Sequence, residues 1–76
     1  MPHVIIKIWP GKSEEQKQEL ADAVAQNVIT ILGSKDEAVS VSLEEVEASS
    51  WRDEVYVPDI TAKPEQLYRK PGYSME

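Results

Sequence analysis

One long helical pattern stands between two short β-type runs, and this order fixes most of what the chain can become. Ser13 with Gln16 three residues later forms a capping box, and Glu14 and Glu15 suit the positive end of a helix. Leu20, Ala21, Val24, Val28, Ile31 and Leu32 then repeat at helical spacing, with Lys17, Asp22 and Gln26 assigned to the opposite side. Gly33 is the expected stop. Before the helix, residues 3–9 read as a strand rich in β-branched side chains, with Val4, Ile6 and Ile8 on one face and Ile5, Lys7 and Trp9 on the other. Apolar residues on both faces predict a central strand covered on both sides. Pro10-Gly11 ends it. Residues 38–46 alternate Val39, Val41 and Leu43 with Ser40, Ser42 and Glu44, a second strand with one apolar face. Strand, helix, strand makes a βαβ unit, so the two strands are expected to be parallel and the crossover right-handed.

The last thirty residues are less regular. Ser50 is placed to cap a helical turn from Trp51 to Tyr56, with Pro58 expected to break it. Pro64 suits the first turn of another short helix, Pro64 to Lys70, and Pro71-Gly72 makes a turn. The fold class expected is α+β, in a single domain spanning 1–76.

Size and charge narrow the function. A chain of 76 residues buries only ~60% of its unfolded surface, which leaves it marginal alone. It has no cysteine and one histidine, His3, so neither a disulfide framework nor a metal cluster is expected to brace it. A second copy is the obvious remedy: two βαβ units can complete a four-stranded sheet with helices on one face, giving a homodimer. A net charge of −6 with scattered acidic residues argues against nucleic acid as a partner. No stretch approaches the ~20 apolar residues of a membrane span, and no signal peptide is visible, so the expected location is cytoplasmic.

Pro2 is the candidate for chemistry. A small residue after Met1 favours removal of the initiator, which would leave Pro2 with a free secondary amine at the front of the run Val4-Ile5-Ile6-Lys7-Ile8-Trp9. A base against an apolar wall has its charged form disfavoured, which moves it towards the working pH. With Met1 attached, the same nitrogen is an amide and cannot act as a base.

Pro2, the apolar strand, Gly11-Lys12-Ser13-Glu14-Glu15-Gln16-Lys17, the helix and the second strand together resemble the 4-oxalocrotonate tautomerase family. Ser50-Trp51 and the tail Lys70-Pro71-Gly72-Tyr73-Ser74-Met75 resemble its dimeric subgroup, which includes a bacterial tautomerase active on phenylenolpyruvate. The resemblance implies a tautomerase-like βαβ fold with short C-terminal helices. It also implies cofactor-independent enol–keto isomerisation of 2-hydroxy and 2-oxo acids, with Pro2 as general base. By the same resemblance Lys12 stands where the family has a first substrate-binding arginine, Ser40 where it has a second, and Trp51 where it has an aromatic pocket residue. Lysine keeps the charge and loses the bidentate fork, while Ser40 carries no charge. A substrate with one carboxylate and an apolar or aromatic tail is therefore favoured over a dicarboxylate. The competing expectations are a non-catalytic dimeric module of the same fold, or a Pro2-dependent hydratase, dehalogenase or decarboxylase acting on unsaturated acids.

Overall fold

The computed structural model describes every residue from Met1 to Glu76. The chain forms two compact units, Met1–Glu45 and Val46–Glu76. The first is the expected βαβ element. Strand β1 (His3–Ile8) is followed by helix α1 (Glu14–Leu32), a 3-10 turn (Asp36–Ala38) and strand β2 (Ser40–Glu45). The strands pair in parallel, from His3 opposite Ser40 to Ile8 opposite Glu45. Side chains alternate across a strand, so Val4, Ile6 and Ile8 share a face with Val41 and Leu43. This is the face that α1 covers. His3, Ile5, Lys7, Ser40, Ser42 and Glu44 occupy the other. Both strands are shorter than the patterns suggest, and Trp9 lies beyond the end of β1.

Local signals set the limits of α1. The Ser13 side chain accepts from the Gln16 backbone N–H at 3.1 Å, and Gln16 Oε1 accepts from the Ser13 N–H at 3.1 Å. The chain leaves the helix at Gly33, whose φ of 68° is the left-handed conformation that a side chain disfavours. The inward stripe differs from the expected one at both ends. Leu20 is exposed, and Ile31 and Leu32 are 77% and 67% exposed. Lys17, expected on the outer side, belongs with Ala21, Val24 and Val28 on the inner side, and its side chain is only 15% exposed. Its ammonium reaches Glu14 at 2.7 Å and Glu45 at 3.4 Å, tying the first turn of α1 to the end of β2. A cation on the sheet side is tolerated because both partners lie at the rim, where its head stays between carboxylates while the stem packs.

No residue of α1 is fully buried, and Ile5 on β1 is 52% exposed. Within one chain β1 is one edge of a two-stranded sheet rather than the covered central strand expected. No helix is long and apolar enough to cross a membrane.

The second unit departs further from expectation. A 3-10 turn (Ala48–Ser50) leads into a π-helical segment, Arg52–Thr61, that contains Pro58. Proline was expected to end the helix, because in an α-helix its ring clashes with the carbonyl four residues back. The wider π winding moves that carbonyl aside, and the segment ends with Ala62 N–H donating to Val57 C=O five residues back, at 3.0 Å. Ser50 does not cap this segment with its side chain. The expected helix Pro64 to Lys70 is a single 3-10 turn, Pro64–Gln66, with proline in its first position. Val55 and Tyr56 are the buried apolar residues of the unit. Tyr73 stacks on Tyr56 with ring centroids 5.7 Å apart, and Arg52 Nε donates to Met75 C=O at 3.2 Å. These contacts pin the tail to the π-helical segment.

The Lys17 clip has a definite pH signature. The hydrogen bond to Glu14 is the main cause that holds the Lys17 ammonium above its ordinary 10.5, partly opposed by desolvation and reinforced by the charges of Glu14 and Glu45. A raised folded-state value means the stabilisation is fully present below 10.5 and is lost as pH rises through the folded value. Lys17→Met is therefore expected to be less stable than the parent chain at about pH 8, with the difference shrinking by about pH 12, as read by denaturant titration at both.

Candidate active site

Pro2, the candidate base, sits immediately before β1 and is half-buried. Its carbonyl accepts the Ser40 backbone N–H at 3.2 Å, so the first hydrogen bond of the parallel ladder holds it. Proline has no N–H to give, so its nitrogen takes no part in the ladder. In the unprocessed chain that nitrogen is acylated by Met1.

Ser40 opens β2, with its backbone bonded to Pro2. Its side chain does not stand alone: Oγ lies 2.7 Å from His3 Nδ1. His3 and Ser40 are direct register partners on the face away from α1. Sequence spacing could not join two residues 37 positions apart, but the parallel register does.

Lys12 lies at the far end of the strand. The six residues of β1, roughly 20 Å of extended chain, and the segment Trp9-Pro10-Gly11 separate it from Pro2. It is exposed and follows Gly11, whose φ of 120° falls where only glycine is comfortable. Beside it opens a mainly apolar cavity of about 480 Å³, lined by Trp9, Gln16, Leu20 and Leu43 among others. Lys17 also borders this cavity, but its ammonium is bound to Glu14 and Glu45, which leaves Lys12 as the cation with no carboxylate within bridging distance. One copy of the chain thus brings Pro2 and Ser40 together and holds Lys12 apart from them.

Trp51 belongs to the second unit. Its indole Nε1–H donates to the Tyr73 hydroxyl at 3.0 Å, which fixes the plane of the ring. The neighbouring cation, Arg52, is not in the sequence reading of the site. It is engaged with Asp53 at 3.1 Å and with the Met75 carbonyl.

Pro2, were Met1 removed, would carry an amine able to take a proton, and at the far end of β1 Lys12 borders an apolar cavity with room for a small organic acid. The chain is similar to known proteins. Residues 2–56 match the family described as Tautomerase enzyme, and that match begins at Pro2. A probable tautomerase of Xylella fastidiosa is 47% identical over 73 residues, 96% of this chain and 89% of that protein. Tautomerase PptA of Cronobacter sakazakii is 42% identical over 76 residues, covering 99% of this chain and 100% of that protein. Among solved structures, a 4-oxalocrotonate tautomerase isozyme from Methylibium petroleiphilum superposes with a TM-score of 0.63 at 30% identity, covering 66% of this chain and 81% of that one. YwhB, a homologue of 4-oxalocrotonate tautomerase, gives 0.59 at 33% identity over 60% of this chain and 75% of that one. With the βαβ unit, the position of Pro2 and these likenesses in agreement, the chain belongs to the tautomerase family and is an isomerase acting on a small molecule.

Proposed function

We propose that the chain catalyses enol–keto isomerisation of 2-hydroxy and 2-oxo acids such as phenylenolpyruvate, without a cofactor, with the amine of Pro2 as general base once Met1 is removed. The observation that carries this reading is the position of Pro2. It is anchored through its carbonyl with the nitrogen left out of the ladder, and Ser40 is fixed beside it. The neutral amine takes the proton from the enol hydroxyl, the C–O bond becomes a carbonyl, and the same proton is delivered to C3. Negative charge gathers on oxygen during the transfer, and the Ser40 hydroxyl is the donor that meets it.

The substrate carboxylate requires a cation, and this chain's own Lys12 is too far from Pro2 to supply it. A second copy resolves the distance. Pairing β1 antiparallel with β1 of another copy lays the C-terminal end of one strand beside the N-terminal end of the other, so Lys12 of the second copy meets Pro2 of the first. The apolar cavity next to Lys12 then offers room for the substrate's tail. The open sheet edges, the uncovered Ile5 and the exposed Ile31 and Leu32 support the same homodimer. The assignment of Trp51 to the tail of the substrate rests on the family resemblance alone. The whole chain, 1–76, acts in this reading as one tautomerase domain. A cytoplasmic setting is part of the proposal, and the net charge of −6 suits a protein working in free solution.

Three outcomes are expected. Sedimentation at micromolar concentration gives a dimer whose unfolding midpoint rises with protomer concentration, and a cooperatively folded monomer would refute the shared site. Pro2→Ala slows ketonisation by roughly 10²-fold or more with the fold intact, and a mass-verified sample retaining Met1 loses the enzymatic rate. Full activity of that sample would exclude Pro2 as the base. On processed enzyme, kcat/KM for phenylenolpyruvate exceeds that for 2-hydroxymuconate, because burying a second, unpaired carboxylate costs several kcal/mol or more. Ser40→Arg narrows the gap. A preference of the parent enzyme for the dicarboxylate would defeat the assignment of substrate class.

A further inference from the structure

The hydrogen bond between His3 and Ser40 lies one residue from the proposed base. Its direction depends on the tautomer and the charge of the imidazole. When the neutral ring carries its proton on Nε2, Nδ1 is an acceptor and the Ser40 hydroxyl spends its single proton on His3. When the ring is protonated, Nδ1–H must donate to Oγ, and the Ser40 proton turns elsewhere. The Oγ to Nδ1 distance of 2.7 Å fits either direction. The backbone of Ser40 is held by Pro2 C=O, so the choice concerns the hydroxyl proton and not the place of the residue.

We propose that His3 is a positioning residue that governs the Ser40 hydroxyl, so that protonated His3 frees the Ser40 proton for an anionic oxygen of the acid substrate. The inference rests on the reading that places Pro2 and Ser40 at the substrate. Positive charge on the imidazole also stands directly behind the hydroxyl, a relayed cation at a position where Ser40 itself brings none. A charged donor makes the bond to Oγ stronger and polarises the O–H that faces the substrate.

Within the βαβ unit, the charged groups nearest this pair lie along the two strands and in the turn ahead of β2. On the same face of the sheet, Lys7 and Glu44 lie four residues along their strands and pair with each other at 4.0 Å. The turn ahead of β2 carries Asp36 and Glu37. In the processed chain the Pro2 amine is the nearest ionisable group, and in the proposed dimer Lys12 of the second copy joins it. His3 is the only histidine in the chain, so substitution at this position separates its share of any proton uptake from that of the Pro2 amine.

The test uses processed protein, with loss of Met1 verified by mass. Binding of 3-phenylpropanoate, an unreactive carboxylate with an aromatic tail, is measured calorimetrically near pH 7 in buffers of different ionisation enthalpy. The parent protein is expected to take up a fraction of a proton on binding. His3→Gln takes up measurably less, since its amide is a donor at every pH. Ser40→Ala, which keeps the histidine but breaks the relay, also loses the His3-dependent share. In steady-state kinetics, the ratio of KM for phenylenolpyruvate in His3→Gln to that in the parent rises roughly 3- to 10-fold from about pH 8 to about pH 5.5, while any fall in kcat from protonation of Pro2 is common to both. Equal proton uptake and equal pH dependence in the parent and His3→Gln would overturn the proposal. If Pro2→Ala is as active as the parent, the assignment of the base falls, while the proton uptake still decides the role of His3.

Discussion

The parallel register between β1 and β2 is the constraint on which the rest depends. It joins the first residues of the chain to Ser40 and the last residues of β1 to Glu45. At one end it places a hydroxyl and an imidazole beside Pro2. At the other it sets Glu45 where Lys17 can reach it from α1. A slip of β2 by one residue would turn Ser40 to the helix face, away from His3, and expose Val41 and Leu43, so the apolar pattern that fixes the core also fixes this pairing. Parallel strands need a crossover, and the nineteen residues of α1 provide it.

The elements legible in the sequence are those specified by near neighbours. The capping box at Ser13 and Gln16 and the stop at Gly33 involve residues within one turn of each other, and they fall where the pattern puts them. The alternation in β2 is equally local. Lys17 was assigned to the wrong side because a helical wheel sorts residues by polarity. Nothing in the wheel shows that Glu45 waits at the end of the sheet. Pro58 misled for a similar reason: the rule that proline ends a helix assumes α winding, and the segment is wound as π.

For the candidate site, the sequence offers residue types and not their grouping. Pro2 and Ser40 are distant in sequence and adjacent in the sheet, whereas Pro2 and Lys12 are near in sequence and separated by the length of a strand. An extended strand keeps its two ends apart, so a short interval along the chain becomes a long one in space. The His3–Ser40 bond and the Trp51–Tyr73 bond span 37 and 22 positions, and only the folded chain makes them visible. Arg52 is the converse: a cation beside Trp51 that looks available in the sequence and is occupied by the tail.

Met1 is fully exposed, at 104%, and the residue after it is bound through a carbonyl while its nitrogen takes no part in the ladder. Removal of Met1 therefore breaks no hydrogen bond of the sheet. On the proposed mechanism, folding and the appearance of the base become independent events, separated by one proteolytic cut. Circular dichroism or a melting curve would not distinguish the silent chain from the competent one. The specific activity of a preparation would report the fraction of trimmed N-termini, and a cell's supply of methionine aminopeptidase would set how much of the folded pool can react.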